Sequence, residues 1–238
     1  MPKILAIETS SELASCALLD GDHVIARSTS GVRTHSQSVL PMVQELLGEA
    51  GIQLADCDAV AFGAGPGSFT GVRTACGVAQ GLAFGASLPV LPLVTLEAMA
   101  ESCRARTGAT EVLTVLDARM GEVYWAQYAF DAARGAWREV AAPALCAPQD
   151  VAPLPAAGLA ACGNGFSAYP DAFAGKPFAE GALRDILPHA RELALLGAPA
   201  LAAGLAVPPA QAQPIYLRNK VAYTSAERQA INAAKAGA

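Results

Sequence analysis

The sequence predicts a mixed α/β protein of two modest lobes, on three observations. The chain opens with three short β runs joined by turn signals, a later strand feeds a glycine-rich loop and a helix, and the strand pattern begins again after about residue 106. At 238 residues the chain can hold one substantial core or two smaller ones, since domains commonly run to about 100 to 200 residues.

Residues 3–7 form a short apolar run, ended by the polar turn Glu8, Thr9, Ser10, Ser11, and residues 14–19 return as a second strand. Asp20-Gly21-Asp22 is a hairpin signal, so residues 23–28 make a third, antiparallel strand. Ser36 or Ser38 can cap a helix whose apolar positions Leu40, Val43, Leu46, Leu47 and Ala50 follow helical spacing; Pro41 is tolerated near its first turn and Gly51 ends it. Residues 57–62 are a strand running into the glycine loop 63–71, and the helix beyond reaches about Gly85. A short strand over 90–93 and a helix over 96–106 complete the first half. Strands follow at 112–116, 122–130 and 137–140, a Pro- and Ala-rich stretch at 142–157 interrupts, and 158–162 returns as a strand. Residues 191–205 form an apolar helix that Pro199 should kink or divide. From Pro208 the chain reads as extended, and from Pro214 it carries Arg218, Lys220, Arg228 and Lys235 against Glu227, a basic tail on an acidic protein. The expected division is a lobe over 1–105, a smaller lobe over 106–213 and a tail over 214–238.

Composition excludes several classes. A hydrophobic share of 53% with mean hydropathy +0.34 raises the question of a membrane span. The uncharged stretch 74–96 is broken by Gly77, Gly81, Gly85, Pro89 and Pro92, and much of the apolar content is alanine, so no span and no membrane partner are expected. The first residues lack the longer apolar core of a signal peptide, which points to the cytoplasm. Six cysteines (Cys16, Cys57, Cys76, Cys103, Cys146, Cys162) contain no Cys-x-x-Cys pair and read as reduced thiols, not as a zinc or disulfide framework. Net charge −5 opposes binding of a phosphate backbone, so any contact with tRNA is expected to be indirect.

The glycine loop invites a nucleotide reading, because backbone amides at a helix start can cradle phosphate. It fails the sharper patterns. Gly71 is followed by Val72-Arg73 and not by the Lys-Ser/Thr of a P-loop, Ser68 stands where a dinucleotide fold needs its third glycine, and Pro66 and Thr70 flank Ser68 where a nucleophile elbow needs glycines. The loop is read as a tight turn, with a vestigial anion site at Gly65, Gly67, Ser68 and Thr70 as the alternative. The following helix carries two small-residue stripes: Gly77, Gly81 and Gly85 on one, Gly71, Ala75, Ala79 and Ala83 on the other. Each interior glycine costs about 1 kcal/mol relative to alanine, so close approach of a sheet or of another subunit's helix must offset the loss. His23, His35 and His189 are too far apart in sequence for a local metal site, and pairing His35 with Ser10, Ser11 or Ser68 as a peptidase has no support in the spacing.

The blocks Ile4 to Ser10, Arg33-Thr34-His35-Ser36, Gly63 to Arg73 and Pro214-Ile215-Tyr216-Leu217-Arg218, in this order, resemble the bacterial TsaB (YeaZ) family. The resemblance implies an actin/Hsp70-like (ASKHA, ribonuclease H-like) two-lobed fold with a reduced second lobe. It further implies a paralogue of TsaD, the catalytic subunit that places threonylcarbamoyl on tRNA adenosine. That relative presents His-x-x-x-His after its glycine loop, where this chain has Thr95 and Met99, and continues Cys-Asp-Glu-Thr where this chain has Ser11-Glu12-Leu13-Ala14. Gly163-Asn164-Gly165 is too short to replace the relative's second glycine motif. The resemblance therefore implies no catalytic residue, metal or cofactor of its own, a TsaD-like catalytic partner, a TsaE-like ATPase, and a homodimer when alone. The expected interface is Leu40, Val43, Leu47, Gly71, Ala75, Val78, Gly81, Leu82 and Gly85. A weak ATPase or carbamoyltransferase, and a peptidase, are the competing readings.

Overall fold

The computed structural model describes residues 2–30 and 35–218. Arg33, Thr34 and the expected basic tail beyond Arg218 lie outside the described residues.

Strands β1 (Lys3–Glu8), β2 (Leu13–Asp20) and β3 (His23–Ser30) are antiparallel neighbours. Helix α1 (His35–Ala50) leads to β4 (Ala59–Gly65), helix α2 (Phe69–Ala86), β5 (Val90–Val94) and helix α3 (Thr95–Thr107). The first sheet has the order β3-β2-β1-β4-β5, with β4 parallel to both β1 and β5. Period-two alternation assigns its two faces. Leu5, Ile7, Cys16, Leu18, Val60 and Phe62 meet α1 and α2 on one side. Ile4, Ala6, Ala17, Leu19, Ala59 and Ala61 meet helix α6 (Ala190–Ala202) on the other. Burial on both faces explains why these strands read as continuous apolar runs and not as alternating ones.

The second sheet, in the order β8-β7-β6-β9, is built from β6 (Glu111–Arg119), β7 (Glu122–Asp131), β8 (Ala136–Cys146) and β9 (Ala160–Cys162). One face packs Val112, Leu116, Ala126 and Tyr128 against Leu96, Met99 and Cys103 of α3. The other packs Leu113, Val115 and Val123 against Phe166 of α4 (Gly165–Ala168) and Phe173 of α5 (Pro170–Phe173). The result is the two-lobed actin/Hsp70-like arrangement with a small second lobe.

Three local expectations are corrected. The Pro- and Ala-rich stretch does not interrupt at 142, because β8 runs on through Pro143 to Cys146. β8 is an edge strand, and Pro143 falls where the ladder slips between the Gln127↔Ala141 and Trp125↔Ala144 pairs, so no ladder bond needs its missing N–H. Helix α1 already begins at His35, with Pro41 as its seventh residue. Pro199 does not divide α6, because it lies in the last turn, where one lost backbone bond is tolerated. Chain order also fails to separate the lobes: α3 packs on the second sheet, while α6 and Ala212 return to the first across the expected 105/106 boundary. Among the described residues no helix is long and apolar enough to cross a membrane.

Candidate functional site

The glycine loop packs tightly on the turn that follows β1. A Cβ at Gly71 would fall 1.9 Å from the Thr9 carbonyl oxygen, and one at Gly67 would fall 2.6 Å from Ser10 Cβ. Glycine is required there by proximity to the chain's own backbone. The amides are also engaged internally: Gly65 N donates to Thr95 Oγ1 (3.0 Å), Ser68 N to the Ser10 carbonyl (2.7 Å), Gly71 N to the capping Ser68 hydroxyl (3.4 Å), and Val72 N to the Ser68 carbonyl (2.9 Å). The tight-turn reading accounts for all four of these contacts. Thr70 is exposed, and its carbonyl accepts the Thr74 hydroxyl.

Glu8, at the end of β1, is wholly buried. Its Oε1 accepts Ser10 N, while Oε2 has no hydrogen-bond partner among the described residues and lies where a Cβ on Gly63 would come within 1.8 Å. Burial pushes this carboxyl up to about 7, with the polar groups of Ser10 and Thr9 pulling the other way. It is a fully buried carboxyl with no cation paired to it among the described residues.

The hydroxyls and imidazole of the peptidase alternative are not assembled. His35 Nδ1 faces the Thr9 carbonyl (3.2 Å), Ser10 Oγ is buried with no partner among the described residues, Ser11 Oγ accepts Leu13 N (3.2 Å), and Ser68 Oγ caps α2. No nucleophile–base hydrogen bond joins them. Thr95 and Met99 are fully buried; Thr95 serves the glycine loop, and Met99 packs over Gly163. Among the described residues no cluster of His, Cys, Asp and Glu could hold a metal ion.

A cleft of about 480 Å³ lies between the lobes, walled by Ser10, Gly67 and Ser68 on one side and by Asp117, Arg119 and Asn164 on the other. Gly163 and Gly165 let the chain cross over Val115, since a Cβ at either would meet Val115 atoms at 2.1 and 2.6 Å. That crossing delivers Asn164, whose Oδ1 accepts Asp117 N (2.9 Å) and whose Nδ2 reaches Glu12 across the cleft (3.5 Å). Residues 215–218 form a strap along the cleft. Ile215 N donates to the Ala64 carbonyl (2.7 Å), Tyr216 Oη accepts Arg73 Nε (2.8 Å), and Arg218 donates to Glu122 and to the Arg119 carbonyl. In the sequence Pro214 to Arg218 reads as a family marker and the start of a basic tail; no local pattern signals a contact 143 residues away.

The two stripes of α2 face opposite ways. Gly71, Ala75, Ala79 and Ala83 are buried against the sheet, whereas Gly77, Gly81 and Gly85 are exposed, with none of the described residues within 4 Å of a Cβ built on them. The expected interface list divides accordingly. Val43, Gly71 and Ala75 belong to this chain's own core and are closed to a partner, a correction that follows from their helix phase. Leu47, Val78 and Leu82 are half-buried at its edge, and Leu40, Gly81 and Gly85 are open. Phe84, 81% exposed, is a large apolar side chain on this face that periodicity did not select.

Comparison with known proteins adds the family. The model of the TsaD family, tRNA N6-adenosine threonylcarbamoyltransferase, matches residues 23–224. The tRNA threonylcarbamoyladenosine biosynthesis protein TsaB of Escherichia coli (strain K12) is 42% identical over 93% of this chain and 96% of its own. The TsaB protein of Haemophilus influenzae is 38% identical over 92% and 95% respectively. The structure of YeaZ from Pseudomonas aeruginosa superposes with a TM-score of 0.83 at 41% identity, covering 91% of this chain and all of that one.

Proposed function

The chain belongs to the TsaB (YeaZ) family, and from that premise we propose that it acts in tRNA threonylcarbamoyladenosine (t6A) biosynthesis as a non-catalytic activating scaffold. It docks a TsaD-like catalytic subunit through the outward face of α1 and α2, helps recruit a TsaE-like ATPase, meets tRNA only through those partners and works in the cytoplasm. The observation that carries the reading is the exposed glycine stripe. Three glycines weaken α2 by roughly 3 kcal/mol, and among the described residues no group packs on them to offset the loss. A helix of another subunit laid over Gly77, Gly81 and Gly85 would gain the close backbone contact that glycine alone permits. A second copy of the chain would cover the same face when the catalytic subunit is absent. The serines engaged in capping and turns, His35 facing a carbonyl, and Thr95 and Met99 buried in place of imidazoles support a supporting role over a catalytic one.

The test is reconstitution of tRNA threonylcarbamoylation from purified subunits with and without the chain, and with Gly81→Leu. Leucine at 81 meets open space in the isolated chain, so the variant folds while blocking close approach. Association and modification are expected to be lost together. Normal modification in the absence of the chain overturns the proposal.

A further inference from the structure

One turn and two turns before Gly77 on the same outward stripe stand Arg73 and Phe69. The Arg73 guanidinium lies 3.4 Å from the Phe69 ring centroid and 5.3 Å from that of Tyr216, and the two rings are 5.9 Å apart. Arg73 Nε donates to Tyr216 Oη at 2.8 Å. Tyr216 is itself held from both sides, by the Ile215 amide on Ala64 and by Arg218 on Glu122 and the Arg119 carbonyl. The guanidinium is thus fixed by one hydrogen bond and an aromatic face, with no carboxylate of the described residues within 4.0 Å of it. The guanidiniums of Arg27, Arg104, Arg106, Arg119, Arg134, Arg191 and Arg218 each have a carboxylate within 4.0 Å; Arg73, like Arg138 and Arg184, has none among the described residues, and of these three it is the one held against two exposed aromatic rings.

We propose that the Phe69–Arg73–Tyr216 cluster is a recognition element that takes a carboxylate on the docking helix of the partner subunit. The inference rests on the scaffold reading and adds the chemistry by which the partner is selected. Exposed aromatics beside an arginine have the composition of an interface anchor: Phe69 is 37% and Tyr216 47% exposed. A stacked guanidinium keeps its outer edge free for a two-point bond to a carboxylate, which lysine cannot reproduce. Because Arg73 shares its stripe with Gly77 and Gly81, a helix lying over the glycines passes the guanidinium, and an acid on that helix would meet a donor already in place.

The experiment measures the dissociation constant of the full chain with its TsaD-like catalytic subunit at 50 and 300 mM salt. Arg73→Gln is expected to weaken binding about tenfold at low salt and to flatten the salt dependence, and Arg73→Glu to weaken it further. Arg73→Lys keeps charge without the fork and should lose several-fold, and Tyr216→Phe, which removes only the anchoring hydroxyl, about two- to fivefold. Reversing one acid of the partner's docking helix to arginine should restore binding to Arg73→Glu. If Gly81→Leu abolishes binding but Arg73→Gln and Arg73→Glu bind like wild type, the carboxylate contact is wrong and the scaffold reading stands. If Gly81→Leu binds normally, the scaffold reading fails and this inference fails with it. Should Arg73→Gln melt below the assay temperature, Arg73→Lys decides: wild-type affinity overturns the proposal. An effect confined to self-association, measured by sedimentation of the chain alone, also overturns it.

Discussion

Glu8 sits in β1 with one carboxylate oxygen unpartnered and its pKa pushed up to about 7 by burial. The folded chain therefore holds a proton that the unfolded chain releases near the ordinary glutamate value. Stability from this group is full below about pH 4.5 and is lost as pH rises through about 7. Glu97, raised to about 7 by burial and by Glu139 and Glu101, acts in the same direction, while His189, lowered by burial, acts in the opposite one. The variant must accordingly be compared with wild type at each pH. In urea titrations at pH 5 and pH 8, Glu8→Gln should remove a fall in stability on the order of 3 kcal/mol; an unchanged pH slope would show that Glu8 does not carry the proton. None of this was legible in the sequence, where Glu8 reads as the polar end of a strand. Its environment depends on Gly63 of a strand 55 residues away.

Helix α2 shows what periodicity can and cannot report. The four-residue spacing separated its two stripes correctly, but both consist of small residues, so hydrophobic pattern could not say which one faced the sheet. The structure turns the alanine stripe with Gly71 inward and the glycine stripe outward. Opposite consequences follow for the same substitution. Gly71→Ala drives a methyl to 1.9 Å from the Thr9 carbonyl and should cost about 1 to 3 kcal/mol. Gly77→Ala enters open space and should stabilise the isolated chain by about 0.5 to 1 kcal/mol. Denaturation midpoints of the two variants moving the same way would contradict this assignment. β8 was misjudged for a similar reason: proline content predicts a break, and only the sheet order shows that Pro143 lies on an edge at a slip in register.

At the scale of the whole molecule, the first sheet is finished by a helix from the far end of the chain. Ala190, Leu193 and Ala194 of α6 cover Ile4, Ala6 and Ala61, and Ala190 N donates to the buried Ser15 hydroxyl at 2.9 Å. A fragment ending at residue 105 would expose that face, so it should lack a cooperative thermal transition by circular dichroism. In the full chain, Leu193→Ala should cost about 2 to 5 kcal/mol. A stably folded 1–105 fragment would show that the lobe does not need α6.

The order of the strands and of the longer helices, the hairpin, the turn at the glycine loop and the family blocks were present in the sequence, because each depends on residues close together along the chain; the four-residue helices α4 and α5 were not, being too short to show a period. Which stripe of α2 looks outward, what seals Glu8, and how residues 215–218 bring Tyr216 onto Arg73 were decided by tertiary structure alone. Periodicity specifies which side chains share a face, and only the packed chain specifies what, if anything, covers it.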